Sequence, residues 1–508
     1  MRIEGRKPSM SEGTEQGQVG RNHERAAKSL KYYEPSCYQT CDIQDAQLST
    51  KVRASTRWTM GCELRMHEEV VPVTAQKNHK STKCVEHGVS TAVPVSPPTA
   101  GRSSALDFRA ADPDEDERIK NSGVLTFHTV GCSGDFSDHI PQSQVAEAMV
   151  AQLTDPDLSD DQNGPATAPS FLFHLGDIVY KEDGKTDSDD VAPGEPSDSA
   201  DQKQMYNAQF YRPYTNYGCS IFAIAGNHDG KNSSKSKTSA IQHFLMNFCA
   251  ETMEKSADNH TDGRPAMTQP YVYWRLDTPL AYIVGLYSNI ANGGILDDPS
   301  NLSNRPQYDW LVEQLKDVRR KNRDTAPRKA VLLAVHYPPY SGAANFEQRG
   351  NPRNGPTNAS EVRPLGAVLQ EAFTESGQRP DAVISAHAHL YQRLTYRHSD
   401  GWEIPYLIVG SGGHGPIESL WTACNGDEVE PQLLPFEAVR PPHLAIPAGD
   451  SAQVVEYNDR DGAFGFLRLA ITSSTLIGEF FTAGGGVPVH DDSFSLDLTT
   501  HRVKSIAY

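Results

Sequence analysis

Short apolar runs alternate with longer amphipathic stretches from about residue 121 onward. GVLTFHTV (123–130), rich in β-branched residues, predicts a strand, and QSQVAEAMVAQL (142–153) predicts a helix after the next loop. SFLFHL (170–175) and SIFAIA (220–225) predict two more strands, and TSAIQHFLMNFCAETM (238–253) a second helix. YVYWRLD and LAYIVGLYS predict a strand pair, YDWLVEQLKDVRR (308–320) a helix and KAVLLAV (329–335) a strand. RPLGAVLQEAF (363–373) predicts a helix, while DAVISA (381–386) and PYLIVGS (405–411) predict strands. FGFLRLAIT, TLIGEFFT and SFSLDL complete the pattern as short strands. Short apolar runs bounded by turn residues bury as strands, and longer runs with period 3.6 bury one helical face. Strands mixed with helices, then a tail of strands, predict a layered α/β domain. No internal repeat is visible.

Residues 1–120 lack this periodicity and contain the Pro/Ser/Thr-rich stretch STAVPVSPPTAGRSS. They are expected to form a disordered, low-complexity arm ahead of one large domain over 121–500. Cys37, Cys41, Cys62 and Cys84 lie in this arm with His67, His79 and His87, but their spacings match no common zinc pattern. The chain has 508 residues, a net charge of −18 and 37 % apolar content. The acidity excludes generic nucleic-acid binding, which needs clustered Lys and Arg. Without a run of eighteen apolar residues, no membrane-spanning helix is expected. The N-terminal stretch has no apolar signal core, so a cytoplasmic location is expected, with export as the alternative. The segment 181–203 carries 8 acidic residues and 3 lysines. Its Gly, Pro and Ser content reads as a solvated loop, and it lacks the EF-hand order of a calcium loop.

Polar residues recur directly after the apolar strands, where open α/β sheets place their ligands. Asp177 and Tyr180 follow SFLFHL, Asn227-His228-Asp229 follow SIFAIA, His336 follows KAVLLAV, and His387 and His389 follow DAVISA. Asp, Asn and several His together describe a hard-to-borderline metal site. A carboxylate such as Asp177 can bridge two cations about 3.5–4 Å apart, the separation used for in-line displacement at phosphorus. A water held between them becomes hydroxide near neutral pH and attacks. His228 suits the acid that protonates the leaving oxygen, and Asp229 is placed to orient its ring.

In order, Asp177-x-x-Tyr180, Gly226-Asn227-His228-Asp229, His336 and His387-x-His389 resemble the motif set of the calcineurin-like metallophosphoesterases. Tyr180 and the run His387-Ala388-His389-Leu390-Tyr391-Gln392-Arg393 resemble the purple acid phosphatase branch in particular. The resemblance covers roughly residues 121–498 and implies a four-layer sandwich, with two mixed central β-sheets flanked by helices. It implies two metal ions, iron paired with zinc, manganese or a second iron. Asp177 would bridge them, with Tyr180 and His389 on one metal, and Asn227, His336 and His387 on the other. His228 would be the acid near the substrate. The implied substrate is a small phosphoester, with neither nucleic acid nor membrane as partner.

Two positions depart from the family pattern. Val130-Gly131-Cys132-Ser133-Gly134-Asp135 stands where Gly-Asp-x-Gly is expected, so Cys132 occupies the place of the first metal-binding aspartate. Three consequences are open: reduced or altered metal binding, ligation by the Cys132 thiolate, or substitution by Asp135. Ala386 replaces the glycine before the histidine pair and is expected to crowd the backbone near His387. Tyr180, and the lack of a histidine at Gly134, favour the acid-phosphatase type over the cyclic-nucleotide diesterase type. The other class of reading is a catalytically weakened relative with a binding or regulatory role. His414, in the turn Ser411-Gly412-Gly413-His414-Gly415, is either a phosphate contact or part of a geometric turn. His128 and His174, inside strands, read as core residues, and Arg393 as a partner for carboxylates.

Overall fold

A computed structural model describes residues 103–134, 140–154, 168–180, 205–230, 240–288 apart from 262, 305–341, 365–415, 417, 453–460 and 463–506. The first elements are β1 (Ala105–Asp107), α1 (Phe108–Ala111), α2 (Pro113–Ser122), β2 (Leu125–Val130), α3 (Ile140–Thr154) and β3 (Phe171–His174). A π-helical turn (Asn207–Tyr211) precedes β4 (Ser220–Ala223), α4 (Ala240–Phe248), β5 (Trp274–Asp277) and β6 (Ala281–Leu286). Next come α5 (Pro306–Asp324), β7 (Ala330–Val335), α6 (Leu365–Ser376), β8 (Ala382–Ser385), β9 (Tyr391–Arg397) and β10 (Glu403–Val409). The last strands are β11 (Gln453–Arg460), β12 (Gly465–Ile471), β13 (Thr475–Thr482), β14 (Val489–Asp497) and β15 (Arg502–Ser505).

The strands make two mixed sheets. One has eight strands in the order β1-β5-β6-β7-β8-β10-β9-β11, the other seven in the order β15-β14-β13-β12-β2-β3-β4. Alternation along the buried strands explains the layering, because successive side chains leave a strand on opposite faces. Val284, Val331, Leu333, Val335 and Val383 join Leu311, Leu315 and Val318 of α5 and Leu369 and Ala372 of α6 in one apolar cluster. Ile283, Leu332, Ala334 and Ile384, from the opposite face, join Phe127, Phe173 and Leu469 of the second sheet in the other. Val145 and Met149 of α3 belong to that same cluster. The architecture is thus the expected four-layer α/β sandwich. Among the described residues no helix is long and apolar enough to cross a membrane.

The folded chain begins earlier than residue 121. β1 pairs in parallel with β5, and Phe108 and Ile119 are fully buried. Asp112 caps α2 by accepting the Glu115 N–H at 3.0 Å, and Gly123 ends it at φ 70°. These start and stop signals stand in the sequence, but the acidic run of α2 offers only Ile119 to the apolar core and so hides the helix. The arm through residue 102, with its four cysteines, lies outside the described residues, as does the loop 181–203.

β9 has no apolar run, and its polar residues find partners inside. The Arg393 Nε and Nη2 donate to the two Asp492 carboxylate oxygens at 2.9 and 3.0 Å, and the Tyr391 hydroxyl donates to the same group at 2.7 Å. Arg393 thus pairs with a carboxylate, joining β9 of the first sheet to β14 of the second. Arg393→Met leaves Asp492 buried beside it without its cation. The expected loss is about 3–5 kcal/mol of stability, read as a lower urea midpoint.

Candidate metal centre

Parallel pairing brings the strand ends together. Val130, His174 and Ala223 are in register across β2, β3 and β4, as are Ala334 and Ile384 across β7 and β8. The turns that follow from the two sheets meet. The Gly131 N–H donates to the Val409 carbonyl of the other sheet at 2.9 Å, and within the eight-stranded sheet the Ala386 N–H donates to the His336 carbonyl at 3.0 Å. Three side-chain-bearing residues in these turns are left-handed: Cys132 (φ 53°), Asp177 (φ 53°) and His387 (φ 66°). Such backbone persists only where its surroundings hold it, and it clusters at functional sites.

Asp177 sits at the centre. Its Oδ1 accepts the His228 backbone N–H at 2.8 Å, and its Oδ2 accepts the Tyr180 hydroxyl at 3.0 Å. The His336 Nε2 lies 3.2 Å from Asp177 Oδ2 and 3.1 Å from Asn227 Oδ1. The His387 Nδ1 lies 3.0 Å from that same Asn227 oxygen. The Tyr180 hydroxyl, which meets the same Asp177 Oδ2, is also 3.3 Å from His389 Nε2. Cys132 Sγ accepts the His387 backbone N–H at 3.1 Å. Cys132, Asp177 and His336 each offer a ligand atom, and these atoms lie within 4.8 Å of one another. The residues singled out in the sequence thus converge on Asp177: His336 and His387 meet the Asn227 oxygen, Tyr180 lies beside His389, and the Cys132 sulfur lies near both Asp177 and His336. Asp135 lies outside the described residues.

The donor chemistry fits cations. His336 Nδ1 faces the Leu175 carbonyl at 2.7 Å and donates to it, so the Nε2 of a neutral ring is a lone pair. That lone pair meets two further electron-rich oxygens, from Asp177 and Asn227, in a buried site, where only a proton or a metal ion relieves the repulsion. His387 Nε2 is buried without a hydrogen-bond partner among the described residues. Burial alone would raise the Asp177 pKa, but His336, His228 and His387 hold it well below the usual carboxylate range. Burial works against a charged His336, yet Asp177 raises its pKa. Burial, Asp177 and Cys132 push the Tyr180 phenol far up, so a phenolate forms there only beside a cation.

Two expectations change. Asp229 does not serve primarily as a ring support for His228. Its Oδ1 accepts the Ile178 N–H at 3.1 Å and its Oδ2 the Gly226 N–H at 2.9 Å, which ties the turn carrying Asn227 to the turn carrying Asp177. Burial and the Asp177 charge raise its pKa to about 7. Ala386 does not disturb the turn, because Gly131 lies opposite it and a side chain at 131 would overlap the Ala386 methyl. The His228 ring packs on Tyr180 at 4.2 Å. His414 stacks face to face on the other wall of the phenol, with centroids 3.5 Å apart and planes 4° apart, and its Nδ1 donates to the Gly134 carbonyl at 2.9 Å. His128 is a satisfied core residue, held at 3.0 Å by both Tyr217 and Gln152, and burial lowers its pKa to about 3.

Gln209 and Ser133 emerge only from the structure. The Tyr180 N–H donates to Gln209 Oε1 at 2.8 Å, and Gln209 Nε2 donates back to the Tyr180 carbonyl at 2.9 Å. Gln209 lies in the π-helical turn, a form often found at functional sites. Ser133 Oγ is 2.8 Å from His174 Nε2. No spacing marks either residue, because each acts on a segment distant in sequence.

A model of the calcineurin-like phosphoesterase family matches residues 128–391. The chain belongs to this family. The family implies divalent metal ions. No curated protein matches the chain. Among solved structures, a purple acid phosphatase from yellow lupin seeds is 14 % identical with a TM-score of 0.45. That match covers 74 % of this chain and 55 % of the lupin chain, so the chain spans little over half the lupin enzyme's length. The anchor in the inner membrane complex of Plasmodium is 12 % identical over 74 % of this chain and 89 % of its own, with a TM-score of 0.38. PhoD is 13 % identical over 76 % and 72 %, with a TM-score of 0.40.

Proposed function

We propose that this calcineurin-like phosphoesterase hydrolyses a small phosphate ester at a two-cation centre of the purple acid phosphatase kind. The observation that carries the reading is the convergence of donor atoms around Asp177, from turns of two different sheets. Asp177 would bridge, Asn227, His336 and His387 would hold one cation, and Tyr180, His389 and Cys132 the other. Iron paired with zinc, manganese or a second iron suits these donors, although the Cys132 sulfur favours softer ions. When bound, the cations supply Lewis-acid chemistry to the phosphoryl group and to the attacking water.

The chain's own residues do the rest. His228 stands beside Tyr180, half-buried, and gives a proton to the leaving oxygen. The rigid turns hold the ligands in place before substrate arrives, so little reorganisation accompanies reaction. His414 braces the Tyr180 ring from the opposite side and borders the substrate.

The test is metal content per chain together with hydrolysis of p-nitrophenyl phosphate and its bis-ester, which separates monoesterase from diesterase. Two metals and turnover support the reading. Loss of the His228 imidazole in His228→Ala is expected to cut turnover by roughly 10²-fold or more while the metals stay bound. Cys132 in place of the aspartate favours the second reading, a weakened relative that binds phosphoesters. Tight phosphate binding with two metals and no turnover of either ester would select it, and metal-free, inactive protein would sink both.

A further inference from the structure

We propose that His174 and Ser133 are a pair of positioning residues that lock the turn bearing Cys132 to the turn bearing Asp177. The inference rests on the two-cation reading above for its metal readout, but its geometry stands without any metal.

His174 is the last residue of β3, fully buried and in register with Val130 and Ala223 on either side. Its Nδ1 accepts the Gly176 backbone N–H at 3.2 Å. A backbone N–H can only donate, so this contact fixes the neutral ring with its hydrogen on Nε2. Nε2 therefore donates to Ser133 Oγ at 2.8 Å. One ring thus holds the residue before Asp177 with one nitrogen and the residue after Cys132 with the other.

The contacts around it show why a clasp is needed. The Cys132 N–H donates to the Gly176 carbonyl at 2.9 Å and the Ser133 N–H to the Asp177 carbonyl at 3.2 Å, so the two turns run side by side. Both turns place a residue with a side chain in the left-handed region, Cys132 and Asp177, each at φ 53°. Neither residue prefers that backbone, and relaxation of either would swing the sulfur and the carboxylate apart. The His174–Ser133 contact adds a buried side-chain link between the two turns. Gln142 Nε2 reaches the same Ser133 oxygen at 3.4 Å, from α3, and adds support from the helical layer.

The test uses the full chain and three variants. Ser133→Ala and His174→Asn break the Ser133 contact, whereas His174→Gln carries an amide N–H toward the place of Nε2 and keeps it. Each is loaded with Co²⁺, whose near-ultraviolet thiolate band reports the Cys132 sulfur on the metal. Ser133→Ala and His174→Asn are expected to lose about tenfold in Co²⁺ affinity along with most of that band. His174→Gln is expected to stay near the parent. In metal-free protein, alkylation of Cys132 by iodoacetamide, followed by mass spectrometry of its peptide, is expected to run several-fold faster in Ser133→Ala. Thermal unfolding of metal-free Ser133→Ala is expected to remain within about 2 °C of the parent.

Parental cobalt affinity, band and Cys132 reactivity in both Ser133→Ala and His174→Asn would overturn the proposal. So would metal losses that merely track thermal stability across all three variants. If the parent chain binds no cobalt, the two-cation reading fails by itself. The alkylation rate still decides the positioning pair: faster reaction in Ser133→Ala upholds it, and an unchanged rate overturns it.

Discussion

Asp177→Asn is expected to abolish phosphoester hydrolysis, by roughly 10³-fold or more, and to empty both halves of the site. The Asp177 carboxylate is the one group shared by both sets of donors, meeting the Tyr180 hydroxyl at 3.0 Å and the His336 Nε2 at 3.2 Å. An amide keeps the volume, and its oxygen still accepts the His228 backbone N–H that Asp177 Oδ1 now accepts at 2.8 Å. Asparagine also tolerates the φ of 53° found at this position, so the turn survives the change. What goes is the negative charge and one oxygen acceptor. Loss of about 4 kcal/mol of transition-state stabilisation corresponds to roughly a thousandfold in rate. The checks are metal stoichiometry, turnover of p-nitrophenyl phosphate and circular dichroism to establish the fold. A folded variant with parental metal content and turnover would remove Asp177 from the centre of the site.

The parts of this centre that were readable in advance share one property. Asp177, Asn227, His336 and His387 each follow a buried, largely apolar strand within a few residues, and parallel strands of both sheets end together. A polar residue after such a run is therefore near the sheet edge whatever the topology. The supporting residues carry no such mark. Gln209 grips the Tyr180 backbone from 29 positions away, and Ser133 meets His174 across 41. Hydrogen bonds between distant segments leave no periodicity behind. Asp229 shows the opposite error: its adjacency to His228 suggested a ring partner, yet backbone N–H groups of Gly226 and Ile178 occupy its oxygens.

The same division holds for the fold. β3, β7 and β8 were legible because they bury both faces and so read as nearly continuous apolar runs, and β2 because its buried residues are rich in β-branched types. β9 was not, because Gln392, Arg393 and Thr395 are buried through polar partners rather than apolar contact. α2 was hidden for a related reason. Ile119 is its main apolar anchor, and acidic residues of its first turn pair locally, as Glu115 does with Arg118. Ala386 could be judged only with Gly131 in view, since the space for its methyl comes from a residue far earlier in the chain.

Cys132→Asp is expected to tighten metal binding and to raise turnover about tenfold, with the preferred ion shifting from zinc toward manganese. Cys132 is fully buried at the end of β2, and its sulfur already accepts the His387 N–H at 3.1 Å. An aspartate oxygen can accept the same hydrogen bond, and aspartate adopts the left-handed backbone of this turn more readily than cysteine. The change exchanges a soft sulfur donor for a hard oxygen beside Asp177 and His336, without altering the other donors. It also brings a second carboxylate close to Asp177, so the metal-free variant carries repulsion that bound cations relieve. Its thermal stability should therefore depend on metal more steeply than the parent's. Metal analysis after loading with zinc or manganese, alongside turnover in each ion, reads both effects. Unchanged occupancy, ion preference and turnover would show that residue 132 does not reach the metals. A loss of zinc without gain of manganese would instead identify the thiolate as the native ligand that the site was built around.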